Sequence, residues 1–332
     1  MMRALLLTDR GPLLKQDYPI PVPQCGQALI RVTLAGICST DLQLIAGYKG
    51  GYRGVPGHEF VGVVERAPGN EGWEGKRVVG ELNVGCGSCE LCRRGLEKHC
   101  RSRQSLGIIG LDGAFADYLL LPVANLQALP TADLLPDEVA VFVEPTAAAL
   151  QIREQIAISS ARRVYVLGSG RLGLLVAQVL ALTGCDLTVI GRTSTKLDHL
   201  TTMGLPLKTH STATMDLHPL LDQPADIVVD VTGAPAGFTL ARTLVRPGGT
   251  IVLKSTFAGT LPEFDVSGLV VDEISLVGSR CGPFAPAIRL LSSRLIQTQP
   301  LIHVRYPLAE GLTALDVAAQ PGVLKVLLEI AD

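Results

Sequence analysis

The chain has 332 residues, long enough for two domains with separate cores, and 29 Lys plus Arg against 31 Asp plus Glu leave a net charge of −2. So balanced a charge offers no field to recruit nucleic acid or an anionic membrane surface. The N-terminal apolar run Ala4–Leu7 is too short for a signal peptide, and the longest apolar stretch, Leu172–Leu182, falls short of the ~20 residues of a membrane helix, so a cytoplasmic protein is expected.

The first 130 or so residues read as β-rich. Arg3–Leu7, Gln27–Leu34, Phe60–Glu65, Arg77–Gly80 and Phe115–Leu121 are short apolar runs separated by Gly and Pro, which predicts a barrel-like or sandwich domain with long loops. Between the second and third runs lie Gly36-Ile37-Cys38-Ser39-Thr40-Asp41 and Gly54-Val55-Pro56-Gly57-His58-Glu59-Phe60. A thiolate and an imidazole delivered from neighbouring strand ends suit one shared zinc. Each taken alone also fits a small buried cysteine or a hydrogen-bonded structural histidine. Tyr48 and Tyr52, on the loop before His58, fit either a cleft lining or a subunit contact.

Of eight cysteines, four crowd into one segment as Cys86-x2-Cys89-x2-Cys92-x7-Cys100. In a large intracellular chain such clustering points to metal before disulfides. Four sulfurs close a tetrahedral shell with no open position, which predicts a structural zinc, with an iron–sulfur cluster or free thiols as the alternatives. Arg93, Arg94, Lys98, Arg101 and Arg103 surround the segment without interleaved aromatics, and read as a solvated face.

After Pro130 the pattern turns helical over Leu135–Ile158 and includes Glu144 between Val139–Val143 and an alanine run. A carboxylate in so apolar a setting needs a partner or a metal, unless it caps the helix beginning near Pro145 from the surface. Arg163–Leu167 is a short strand, Gly168-Ser169-Gly170-Arg171-Leu172-Gly173 a G-x-G-x-x-G turn, Leu172–Leu182 a buried helix, and Leu187–Ile190 a second strand. In that context Gly168 permits the tight turn, Gly170 lets backbone approach a pyrophosphate, and Gly173 lets helix pack on strand at a helix N-terminus that attracts phosphate. A dinucleotide site is therefore expected.

Where an NAD site carries Asp or Glu at the end of the second strand, this chain has Gly191, followed by Arg192, Thr193, Ser194, Thr195 and Lys196. A guanidinium with neighbouring hydroxyls suits a 2′-phosphate, so NADP is favoured over NAD. Asp226–Thr232 reads as a buried strand ending in Thr232-Gly233, Pro247-Gly248-Gly249 as a turn feeding Thr250–Lys254, and Ile274–Gly278 as a last strand. Strand–helix alternation of this length predicts an α/β, doubly wound parallel sheet. The tail carries an amphipathic stretch, Leu308–Ala319, and a strand-like Val323–Ile330, and is expected to return to the first domain.

In this order GICSTD, GHEFVGVVE, the four-cysteine segment, GAFADY, EPTAAAL, GSGRLG and the RPGG turn closely resemble the zinc-dependent medium-chain dehydrogenases, the group of alcohol, polyol and threonine dehydrogenases. The resemblance spans nearly the whole chain. It implies a GroES-like β-rich catalytic domain at 1–145 and 285–332, with a Rossmann cofactor domain at 146–284. It implies two zinc ions per chain: a catalytic one held by Cys38, His58 and Glu144, and a structural one held by Cys86, Cys89, Cys92 and Cys100. By the same resemblance Thr40 hydrogen-bonds the substrate hydroxyl, Asp41 supports His58 and Glu59 acts beside the metal, either joining its shell or supporting it from outside. Gly168, Gly170, Leu172, Gly173, Gly191, Arg192, Thr193, Lys196 and Thr232 fall to the cofactor.

Three departures stand out, one of them Gly191 in place of the acid of an NAD site. Gln43 occupies the place of a relay histidine in several relatives, and Ser39 the place of a cation near the pyrophosphate, for which Lys325 in the tail is a substitute unless it is merely solvated. The activity implied is hydride transfer between a secondary alcohol or polyol, or the matching ketone, and NAD(P), in a homodimer or homotetramer. The competing readings are a zinc-free quinone or enone reductase and a non-catalytic dinucleotide-binding protein, both disfavoured by the presence of Cys38, His58 and Glu144 together.

Overall fold

The computed structural model describes residues 1–47, 51–257, 260 and 264–331. The chain divides into two compact units, Met1–Glu144 with Phe284–Asp332, and Pro145–Pro283. The first opens with a hairpin of β1 (Met2–Thr8) and β2 (Gly11–Tyr18). β3 (Gln27–Gly36), β4 (Glu59–Arg66) and β5 (Arg77–Gly80) then pair antiparallel in sequence, their Val, Leu, Ile and Phe side chains buried on a pleated core face. The short β6 (Asn83–Val84), β7 (Gln104–Leu106) and β8 (Gly110–Leu111) form a separate small sheet on either side of the cysteine-rich segment in sequence. β9 (Tyr118–Pro122) covers the first half of β3, and β10 (Leu126–Ala128) adds to β5.

In the second unit β11 (Arg163–Leu167), β12 (Asp186–Gly191), β13 (Lys208–Ser211), β14 (Ala225–Asp230), β15 (Val245–Leu253) and β16 (Ser275–Gly278) run parallel in the order β13-β12-β11-β14-β15-β16. The order reverses between β11 and β14, the pattern of a doubly wound sheet. Its core is aliphatic and aromatic, with Tyr165, Leu167, Ile190, Val228, Phe238 and Ile251 packed together. Buried Tyr165 satisfies its hydroxyl by donating to the Gln223 carbonyl at 2.6 Å.

The tail returns to the first unit. β17 (Ile302–Pro307) and β18 (Lys325–Glu329) are parallel to each other, and β18 pairs antiparallel with β3, setting Leu327 opposite Gly36. Two features depart from the expected elements. Pro247-Gly248-Gly249 is no separate turn; it lies within β15, where the pairing with β14 slips between Ala225 and Ile227. Gly248, at a φ of 69°, supplies the left-handed residue that such a bulge needs. β17 was not anticipated, although His303 and Arg305 alternate with Ile302, Val304 and Tyr306 as in a half-exposed strand. No helix among the described residues is long and apolar enough to cross a membrane.

Gly173 marks where helix meets strand most closely: a Cβ there would lie 2.0 Å from the Gly168 carbonyl oxygen. Gly173→Ala is expected to destabilise the second unit by about 1–3 kcal/mol through overpacking against backbone that cannot retreat. Chemical denaturation would show it as a lower midpoint at unchanged slope.

Candidate active site

Cys38 stands two residues past the end of β3, at the N-cap of helix Ser39–Ile45, with extended backbone at φ −95° and ψ 158°. His58 immediately precedes β4, and the pairing of Gly36 with Glu59 brings the two strand ends together. Asp41, at the third position of the helix, fixes both. The Cys38 N–H donates to its Oδ2 at 2.8 Å, and the Gly57 N–H to its Oδ1 at 3.2 Å. His58 Nδ1 lies 3.5 Å from the same Oδ1 and makes no good hydrogen bond there. Asp41 is fully shielded from solvent.

The sulfur of Cys38, a ring nitrogen of His58 and a carboxylate oxygen of Glu59 all lie within 4.8 Å of one another. Burial opposes a charged imidazole, yet the Asp41 carboxylate and the Cys38 sulfur hold the His58 pKa well above its ordinary range. Such a field invites a cation. A thiol sulfur and an imidazole nitrogen brought this close, with a carboxylate beside them, are groups zinc takes, so Cys38 and His58 fit the metal. The Thr40 hydroxyl sits 3.8 Å from the Cys38 sulfur. Glu144, half-buried in the first turn of helix Val143–Gln155, stands outside this compact group. Gln43 is half-buried in helix Ser39–Ile45.

Lys325 requires a correction. It is neither solvated nor a free charge for a pyrophosphate: at 3% exposure its Nζ donates to Glu59 Oε2 and, at 3.3 Å, to the Ile37 carbonyl. The register of β18 on β3 carries it there, and Gly36 makes room, since a Cβ would lie 2.6 Å from Glu59 Oε2. Sequence reading missed this pair because its members lie 266 residues apart. Tyr52 is also reassigned, from cleft or contact to core. It packs on Leu7 and Leu44 and donates from its hydroxyl to the Leu111 carbonyl at 2.9 Å and to Asp112 at 3.3 Å. Burial, then the Asp112 carboxylate, raise its pKa. Asp112 also receives the Tyr18 hydroxyl and the Val55 N–H, tying down the approach to His58, a network no local motif announces. Tyr48 lies outside the described residues.

The four clustered cysteines are brought together, none of them in a disulfide. Sulfurs of Cys89 and Cys92 are 3.5 Å apart, of Cys89 and Cys100 3.8 Å, and of Cys86 and Cys92 4.0 Å. A tetrahedron of sulfurs around zinc has edges of about 3.8 Å. Helix Glu90–Arg93 starts at Cys89, whose sulfur accepts the Cys92 N–H at 3.5 Å.

In the second unit the glycine turn closes β11. Gly170 is the N-cap of helix Arg171–Ala181, which has no side-chain cap, and nothing stands within 4 Å of where a Gly170 Cβ would be. Leu172 is half-buried in that first turn and Gly173 buried. Uncapped N–H groups facing open space form an anion site. At the end of β12 a Cβ on Gly191 would lie 2.5 Å from the Ser169 hydroxyl, a contact that leaves no room for a carboxylate side chain and that the sequence alone did not reveal. Arg192 and Thr193 are exposed beyond it. Burial, then the charges of Arg171 and Arg192, lower the pKa of Lys196, so three cations crowd one spot. Thr232, after β14, is fastened through its N–H and hydroxyl to Asp230 at 2.8 and 2.7 Å.

Residues 24–131 match the alcohol dehydrogenase GroES-like domain, and residues 172–293 the zinc-binding dehydrogenase model. The chain is 30% identical over 325 residues to L-galactonate-5-dehydrogenase of Escherichia coli (strain K12), covering 93% of this chain and 92% of that protein. Among solved structures, a zinc-binding dehydrogenase from Sinorhizobium meliloti 1021 bound to NADP superposes with a TM-score of 0.90 at 27% identity, covering 99% of each chain. An alcohol dehydrogenase from Escherichia coli CFT073 complexed with NADH gives the same score, identity and coverage. With both models matched in order and a 30% identity running through both units, the chain belongs to the zinc-dependent medium-chain dehydrogenase family.

Proposed function

We propose that the chain is a zinc-dependent oxidoreductase that interconverts a secondary alcohol or polyol with its ketone, using NADP in preference to NAD. The observation that carries this reading is the convergence of Cys38 and His58 on one point, where buried Asp41 accepts the N–H groups of Cys38 and of Gly57 beside His58, in a chain with an uncapped glycine-turn helix N-terminus. The relative named for dehydrogenation at carbon 5 of a sugar acid supports a secondary alcohol within a polyhydroxy chain as the substrate class.

Cys38 and His58 would hold the catalytic zinc, with Glu144 as the carboxylate ligand that the resemblance assigns. When bound, the metal supplies Lewis acidity toward an alcohol oxygen. Glu59, already paired with Lys325, supports the site from outside the shell. Asp41 keeps His58 oriented. Thr40 accepts a hydrogen bond from the substrate hydroxyl and passes the proton outward, and Gln43, which does not titrate near neutrality, leaves the onward step to water or the cofactor ribose. Cys86, Cys89, Cys92 and Cys100 would hold a second, structural zinc, and thiols so closely gathered suit the reducing cytoplasm.

The nicotinamide cofactor supplies the hydride acceptor. The turn of Gly168, Gly170, Leu172 and Gly173 would hold its pyrophosphate on backbone N–H groups. Arg192, Thr193 and Lys196 beside Gly191 favour a 2′-phosphate. Thr232, fastened to Asp230 just past the end of β14, would border the nicotinamide side. For assembly, β16 ends the sheet with Leu276 exposed, and Val266, Val270 and Val271 are exposed on the preceding helix. That apolar edge suits strand-to-strand pairing with a second copy, as homodimer or within a homotetramer.

Initial rates over secondary alcohols, polyols and L-threonine should be faster with NADP than with NAD, fall on chelation, and accompany two zinc equivalents per chain. NAD preference would remove the 2′-phosphate assignment, and a chelator-resistant rate in metal-free protein would remove the zinc mechanism. Lys325→Met leaves a carboxylate buried without its cation and is expected to cost about 3–5 kcal/mol in denaturation, partly restored in the double variant with Glu59→Gln. Light scattering should give at least a dimer mass, and Leu276→Lys with Val271→Lys should lower it to a monomer; an unchanged mass would move the interface elsewhere.

A further inference from the structure

With the glycine turn and Arg192 at the ends of β11 and β12, the adenosine half of a bound dinucleotide lies on that side of the sheet. Its nicotinamide half would then lie across the carboxyl ends of β14, β15 and β16, the strands on the other side of the reversal in strand order. At that end, the residue following β15 is Lys254, a lysine at 7% exposure. An ammonium kept from water must be hydrogen-bonded, and this one reaches across to the segment leaving β16. Its Nζ donates to the Arg280 carbonyl and to the Ser279 hydroxyl at 3.4 Å.

The same segment is fastened elsewhere along its length. The Gln155 amide donates to the Gly278 carbonyl at 2.9 Å, and the Ser279 N–H donates to the Leu253 carbonyl at 3.0 Å. Gly282 lies against helix Val143–Gln155 so closely that a Cβ would stand 1.9 Å from the Ala147 carbonyl. Gly278 has open space where a Cβ would be, and Arg280 is exposed. A shape fixed from behind and open in front is the form of a seat for a ligand. Packing alone would be served by an apolar side chain at 254; the amine ties the end of β15 to the Ser279 hydroxyl and the Arg280 carbonyl.

We propose that Lys254 is a positioning residue for the nicotinamide half of the cofactor, acting through Ser279 and Arg280. The inference rests on the dehydrogenase reading given above. Lys254→Met removes the donor and keeps the stem, and two probes separate its effects: NADPH, which spans both halves of the site, and adenosine 2′,5′-bisphosphate, which occupies only the adenosine half. The variant should bind NADPH about tenfold more weakly and adenosine bisphosphate within about twofold of wild type, with KM for NADP rising more than KM for the alcohol. Ser279→Ala, which leaves Lys254 in place, is the milder second variant and should act in the same direction by a smaller factor. Equal weakening of both probes, or no change in NADPH affinity, would overturn the inference while wild-type binding of both keeps the dehydrogenase reading. Wild-type protein that binds neither probe, and no NADH either, would overturn both.

Discussion

The carboxylate of Asp41 is the constraint on which the metal-binding end of the first unit depends. The pairing of β3 with β4 brings two chain segments near each other, but neither Cys38 nor Gly57 lies within the ladder. Their N–H groups would be left without acceptors in a buried place, a cost of about 1–3 kcal/mol each. One shielded carboxylate accepts both and faces His58 as well. The same side chain opens helix Ser39–Ile45 from its third position, so the local sequence Cys-Ser-Thr-Asp builds a helix start and a metal-facing thiol in one step.

Both units use the absence of a side chain to let a polar group lie across a strand. Gly36 leaves the space that the Glu59 carboxylate fills on its way to Lys325, and Gly191 leaves the space filled by the Ser169 hydroxyl. In the first case the result is a dry ion pair next to the metal donors, stable only because both members are present. In the second, the end of β12 is kept clear of negative charge while three cations gather beside it. Charge is thus set in each site by what a glycine permits.

Features written in contiguous residues were legible. Arg163–Leu167 appears as a strand with the bounds its β-branched run implies, and the glycine turn is followed by the helix that its spacing requires. The four cysteines could be grouped from spacing alone, because the loop joining them is short. What escaped depends on distant partners or on burial. Lys325 and Glu59 meet only because β18 docks on β3, Tyr52 reads as an available aromatic until Leu7 and Leu44 cover it, and Ser169 touches Gly191 across the β11–β12 pairing. Glu144 showed its apolar setting in the sequence, but no spacing rule could say how far it stands from Cys38.

Because β18 is the strand that completes β3 beside Gly36, order of synthesis acquires a meaning. The second unit is an uninterrupted stretch, Pro145–Pro283, and contains all the pairing partners of its own sheet by the time residue 283 has been made. The first unit cannot: Glu59 waits 266 residues for its cation, and Gly36 waits longer still for Leu327. On a ribosome, the stretch that holds Cys38 and His58 therefore spends most of translation with an open sheet edge and an unpaired acid, and its last contacts close only after the sixth parallel strand has been made.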